Sequence, residues 1–202
     1  MRRGKTLNRR PFAILDIGSS KICCLIGEAD GAGGARLLGQ GTHASNGMRN
    51  GEVSELESLS TAIGKTVQAA EREAGLEMKS VTVVVPGGMP FSAIKSQSLR
   101  LSDAVVRRRD IDRLMARTDP STIPQNYQPM HLQTLQYSLD DVRGIADPKG
   151  MRGTTLGVDY TLVCGLRTSL ANFREALALN HLETDRFLHA GYSAGLACLS
   201  TE

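Results

Sequence analysis

The segment Asp16-Ile17-Gly18-Ser19-Ser20-Lys21 sits between two short apolar runs, Phe12-Ala13-Ile14-Leu15 and Ile22-Cys23-Cys24-Leu25-Ile26. Runs this short, rich in branched apolar residues and bounded by glycine, read as buried strands. The segment is therefore predicted to be a β-hairpin whose tight turn carries a carboxylate, a glycine and two small hydroxyls. That chemistry suits an anion. Gly18 lets the backbone approach closely, turn N–H groups can point at a phosphate, and Asp16 can hold a hydrated Mg²⁺. A phosphate loop in a hairpin belongs to a different nucleotide-binding architecture from the strand-to-helix P-loop.

Asp-x-Gly-Ser is equally a good generic hairpin turn, and that plain reading stands beside the phosphate reading. A Walker reading of Gly18-Ser19-Ser20-Lys21 fails. The first glycine is missing at the required spacing, no hydroxyl follows the lysine, and a strand follows rather than a helix.

With 202 residues the chain can bury a real core, as one domain or two small ones. The formal net charge is only +3, and much of it comes from Arg2, Arg3, Lys5, Arg9 and Arg10. Residues 1–11 read as a basic, flexible, solvated tail, with no apolar stretch behind it long enough for a signal peptide. No run approaches the roughly 20 apolar residues of a membrane span. Cys23, Cys24, Cys164 and Cys198 show no metal spacing, and each lies in an apolar run, as buried free thiols of a reducing cytoplasm do. His43, His131, His181 and His189 are scattered, and structural or surface roles are the default for them.

Along the chain, Arg36–Gly41 reads as a third antiparallel strand and Thr42–Gly51 as a loop with two Asn-Gly turns. A helix follows, with Ser54 as N-cap, Glu57 completing a capping box, and Leu56, Leu59, Ile63, Val67, Ala70 and Ala74 on one stripe. Gly75 ends it, and Val81–Val85 is a strand stopped by Pro86-Gly87-Gly88. The middle differs. Arg107–Thr118 reads as a helix opened by an arginine run, which is more often a solvated face than a partner site. Asp119–Pro129, with three prolines, is expected to be irregular. Leu135–Leu139 and Leu156–Leu162 alternate as half-exposed strands around a polar loop, Asp141–Gly153. Residues 86–160 are thus predicted to form a small α+β insertion. Residues 12–85 and 161–202 then make one α/β unit, completed by a helix from Thr168 or Ser169, a strand at Arg186–Leu188 and a tightly packed small-residue helix at Ser193–Leu199.

This order of elements, with these words in it, resembles the FtsA family of actin-like bacterial cell-division proteins. The words are Asp16–Lys21, Gly39-Gln40-Gly41, Asn46–Val53, Val81–Gly88, Gly144-Ile145 with Asp147-Pro148 and Gly150-Met151, and His189–Gly195. The hairpin word alone is shared with actins, Hsp70 chaperones and sugar kinases. The Gly47–Val53 stretch, and an insertion placed after Val81–Val85, narrow the resemblance to FtsA.

The resemblance implies an α/β fold: an actin/Hsp70/sugar-kinase-like (ribonuclease H-like) first lobe carrying an inserted SHS2-type subdomain. It implies a non-enzymatic scaffold that binds ATP with Mg between two lobes and links FtsZ to the inner face of the cytoplasmic membrane at the division site. Filament formation and recruitment of later division proteins follow from it, and nucleic acid does not. Asp16, Gly18, Ser19, Ser20 and Lys21 match the family's first phosphate motif. Asp16 would hold Mg through water, and Gly18 to Ser20 would turn backbone N–H groups to phosphate. The family's second phosphate motif, adenosine segment, FtsZ-binding part and membrane helix have no counterpart before Glu202. The expectation is therefore weak or absent ATP binding by this chain alone. A fragment of a sugar kinase or of a pilus-assembly actin homologue is the alternative.

Overall fold

The computed structural model describes residues 10–31, 33–87, 89–117 and 123–199, so the basic residues 1–9 lie outside it. The chain divides into two compact units, one running to Met89 and resuming at Leu166, the other Pro90–Gly165.

The first unit opens with β1 (Pro11–Ile17), β2 (Lys21–Ala29) and β3 (Ala35–Ala44), an antiparallel meander. The short strands β4 (Met48–Arg49) and β5 (Glu52–Val53) form a hairpin of their own, where a loop was expected. Helix α1 (Leu56–Ala74) and strand β6 (Ser80–Val85) follow, with β6 parallel to β1. The second unit holds β7 (Phe91–Arg100), α2 (Arg108–Ala116), β8 (Tyr127–Leu139), β9 (Val142–Ile145) and β10 (Thr155–Leu166). The chain then returns through α3 (Arg167–Ala178), β11 (Glu183–His189) and α4 (Ala190–Cys198).

In the first unit the sheet order is β11-β6-β1-β2-β3. Period-two alternation sends Ala13, Leu15, Ile17, Ile22, Cys24, Ile26, Val81, Val83 and Val85 to one buried face. Helices α1 and α3 cover that face with Leu59, Ile63, Val67, Leu170, Phe173 and Leu177. Each such side chain contributes about 1.5–3 kcal/mol when fully buried. Helix α1 lies directly on the backbone of β3. A Cβ built on Gly41 would sit 2.1 Å from the Thr66 carbonyl oxygen, and one on Gly39 would sit 2.3 Å from that of Ala70.

The start of α1 departs from expectation. The N-cap is Glu55, extended at φ −148°, and no side chain caps the helix. Ser54 and Glu55 instead donate their backbone N–H groups to the Gly47 carbonyl at 2.8 and 3.1 Å. The Ser54–Glu57 box does not form because the preceding hairpin already holds this corner. The far end is as expected: Gly75 is left-handed at φ 71°, and its N–H donates to the Glu71 carbonyl at 2.8 Å.

The sheet of the second unit runs β7-β10-β8-β9. Its core gathers Leu99, Val106, Ile111, Leu114, Leu139, Leu156, Val158, Tyr160 and Leu162. Strand β10 is continuous to Leu166, so it does not break near residue 160. Pro129, expected in an irregular stretch, lies within β8, and Val142–Ile145 of the expected polar loop pairs with β8. The arginine run is partly neutralised: Arg107 pairs with Asp103 at 2.5 Å and Arg108 with Asp112 at 3.0 Å. Two sequence expectations fail at the end of the chain. Helix α4 forms but buries none of its residues, and Cys198 is exposed rather than buried.

Candidate phosphate-binding turn

Strand alternation fixes the direction of Asp16. Leu15 and Ile17 turn into the core, so Asp16 turns to the opposite sheet face, beside Cys23 of β2 and Val84 of β6. Partial burial there pushes its carboxyl above the usual value, and the nearby Lys21 ammonium opposes the shift. The turn closes by the Gly18 N–H donating to the Lys21 carbonyl at 3.0 Å. A Cβ on Gly18 would lie 2.9 Å from that same oxygen, so the reversal needs glycine. Ser19 and Ser20 are left exposed at the tip.

The turn is braced from outside the hairpin. The Gly51 N–H donates to Ser19 Oγ at 3.2 Å, and the Ser45 N–H donates to the Ser20 carbonyl at 3.0 Å. The structure thus brings the five sequence-predicted residues, Asp16, Gly18, Ser19, Ser20 and Lys21, together at one end of the sheet.

That end is also where β1, β6 and β11 finish, because the three strands are parallel with Asp16 beside Val84 and His189 beside Val85. Ligands of open α/β sheets gather at such carboxyl edges. Sequence reasoning assigned His189 no role here. Its imidazole lies between two glycines. A Cβ on Gly87, which is left-handed at φ 58°, would come within 2.8 Å of His189 Cδ2, and one on Gly191 within 3.2 Å of Cε1. Helix α4 begins immediately beyond, at Ala190.

Among the described residues no group of three or more His, Cys, Asp or Glu side chains could hold a metal ion. One carboxylate on an open face fits a hydrated Mg²⁺ held mainly by water and phosphate oxygens. The buried Cys24 thiol is pushed up to about 12, first by burial and then by Cys23 and Glu71, so it stays protonated at neutral pH.

The family model described as "SHS2 domain inserted in FTSA" matches residues 87–164. The cell division protein FtsA of Agrobacterium fabrum (strain C58) is 34% identical over 197 residues, 93% of this chain and 44% of that protein. The chain is similar to FtsA along nearly its whole length. FtsA of Neisseria meningitidis is 27% identical over 96% of the chain, and FtsA of Escherichia coli K12 is 23% identical over 98%. The chain spans 44–47% of the length of these FtsA proteins. Among solved structures, a PilM-PilN type IV pilus biogenesis complex matches with a TM-score of 0.60 and 13% identity, over 93% of this chain and 50% of that one. At that identity the match speaks for the fold alone, an actin-like fold. The Gly47–Val53 stretch that narrowed the resemblance to FtsA is the β4–β5 hairpin that braces the turn.

Proposed function

We propose that this chain is the first lobe, with its inserted domain, of an FtsA-type cell-division scaffold. The observation that carries the reading is the 34% identity to an FtsA protein along 93% of the chain, with the SHS2 match at residues 87–164. In the complete protein the lobe would bind Mg-ATP against a second lobe. Asp16 would hold the metal through water, Ser19 and Ser20 would turn N–H groups to phosphate across the turn that the Gly18 N–H closes, and Lys21 would add positive charge. The geometry of the turn supports this: the carboxylate, close-approach glycine and exposed hydroxyls share one edge of the sheet. The protein would act as a tether, not as an enzyme. It would join FtsZ to the inner face of the cytoplasmic membrane, recruit later division proteins and self-associate into filaments.

No described helix is long and apolar enough to cross a membrane. In this reading attachment belongs to a C-terminal amphipathic helix of the longer family protein. The pilus alternative has fold likeness behind it at 13% identity, against 34% identity to an FtsA protein for the division reading.

The test is localisation. A fluorescent FtsA whose first lobe is replaced by this chain, expressed in a dividing rod-shaped bacterium, is expected to concentrate at the septum. A fusion lacking residues 90–165 is expected to lose that enrichment. Uniform fluorescence of that folded chimera would overturn the division reading.

A further inference from the structure

The phosphate turn is held by something that hairpin geometry alone does not provide. The β4–β5 hairpin reverses through Asn50 and Gly51 at φ 52° and 80°, two successive left-handed residues. A turn of that kind joins two strands through two residues, and Asn-Gly is its preferred sequence. The reversal places the buried Gly51 N–H on Ser19 Oγ. A hydroxyl has one proton and two lone pairs. By accepting from Gly51, Ser19 keeps its proton to donate elsewhere, and its oxygen is fixed in place.

The next residue ties this strap to the core. The Ser169 hydroxyl donates to Glu52 Oε2 at 2.5 Å, and Ser169 is only 9% exposed. Ser169 lies in the first turn of α3, beside the core residues Leu170 and Phe173. That helix has no side-chain N-cap and no acidic residue of its own in its first turn. Glu52 therefore brings a carboxylate to a helix N-terminus that lacks one, where the helix dipole favours it. A hydrogen bond to an ionised acceptor is also among the stronger ones. At its other end the strap is fixed by Gly47, whose carbonyl takes the Ser54 and Glu55 N–H groups. A Cβ on Gly47 would lie 2.2 Å from the Glu55 carbonyl oxygen.

We propose that Glu52 and Ser169 are positioning residues for the phosphate turn: through Gly51 they hold Ser19 so that its O–H, and the turn's backbone, are set for an anion. The anion part rests on the phosphate reading of the turn given above. The connection runs from the α3 core through Ser169, Glu52 and Gly51 to Ser19: two hydrogen bonds, at 2.5 and 3.2 Å, joined by the Gly51–Glu52 peptide bond.

The test uses the 202-residue chain and its Glu52→Gln, Ser169→Ala and Ser169→Thr variants. Amide hydrogen exchange is read at Gly18–Lys21 and Gly51, beside the thermal midpoint, and Mg-ATP affinity is read with the chain as the first lobe of a complete FtsA. Glu52→Gln keeps the shape and loses the charge. We expect exchange at the turn and Gly51 to rise about tenfold in Glu52→Gln and Ser169→Ala, that is by about 1.4 kcal/mol of local opening. The double variant should add little to either single change, Ser169→Thr should behave as the parent, and the thermal midpoint should move little. Unchanged exchange at the turn, with any increase confined to α3, would overturn the proposal. A complete FtsA carrying this chain as its first lobe that binds no Mg-ATP, while the variants still loosen the turn, would sink the nucleotide reading and leave the strap. The same protein binding Mg-ATP equally tightly with and without the substitutions, with the turn unmoved, would do the reverse.

Discussion

Asp16 is held at a cost, and the cost has a sign. Partial burial raises its carboxyl above the ordinary value, with Lys21 working against the shift. Between the ordinary and the raised value the folded chain binds more protons than the unfolded chain. Stability therefore falls as pH rises through that window and stays lower above it. Asp16→Asn removes the charge, so its urea midpoint at neutral pH should equal or slightly exceed the parent's. The parent's decline as pH rises from the ordinary carboxylate value to the raised one should flatten in the variant. The gain is small because the residue is exposed enough for water to screen it. A variant less stable than the parent at neutral pH would show that the carboxylate is a net stabiliser. At this scale the sequence reveals the chemistry of the turn because its residues are adjacent. It does not reveal what holds them. Ser19 meets Gly51 across 32 positions and Glu52 meets Ser169 across 117, and no local pattern announces either bond. The placing of the His189 ring between Gly87 and Gly191 is hidden for the same reason.

Among the elements, those with a dry face were legible and those with a polar one were not. Helix α1 declares itself by its stripe, and β1, β2 and β6 by their branched apolar runs. Strand β7 was missed because its inward positions include Ala93, Lys95 and Gln97, which carry little apolar signal, while Ile94 points outward at 71% exposure. The β4–β5 hairpin was read as loop because two-residue strands have no period to detect. The cap of α1 was misplaced because the tertiary bonds to Gly47 took over the work of a capping side chain. The C-terminal end of that helix is purely local, and so is its prediction. Gly75 is left-handed, and a Cβ there would meet nothing within 4 Å. Gly75→Ala therefore tests backbone strain alone and should cost about 1 kcal/mol in denaturant unfolding, with no change in m-value. A loss above about 3 kcal/mol would point to a packing fault that the open surroundings do not allow.

At the level of the whole chain, the division into two units makes a claim about cooperativity. The core of the second unit is drawn from residues between Leu99 and Cys164, with Phe91, Leu101, Met115, Tyr127, Tyr137 and Ile145 packed against it. All of these lie within Pro90–Gly165. The first unit has its own dry layer between the β11-β6-β1-β2-β3 sheet and helices α1 and α3. Each unit has the ingredients of a separate folding unit, and local opening follows such units. Leu156 is fully buried at the centre of the second core, so Leu156→Ala leaves a cavity as well as losing transfer energy, about 2–5 kcal/mol together. That loss should stay where it is made. Amide exchange in β7, β8 and β10 should accelerate, while the amides of β1, β2 and α1 keep the parent's protection. Equal acceleration in both sets would mean that the two cores unfold as one. The inserted domain could then not be removed without unfolding the lobe that carries the phosphate turn.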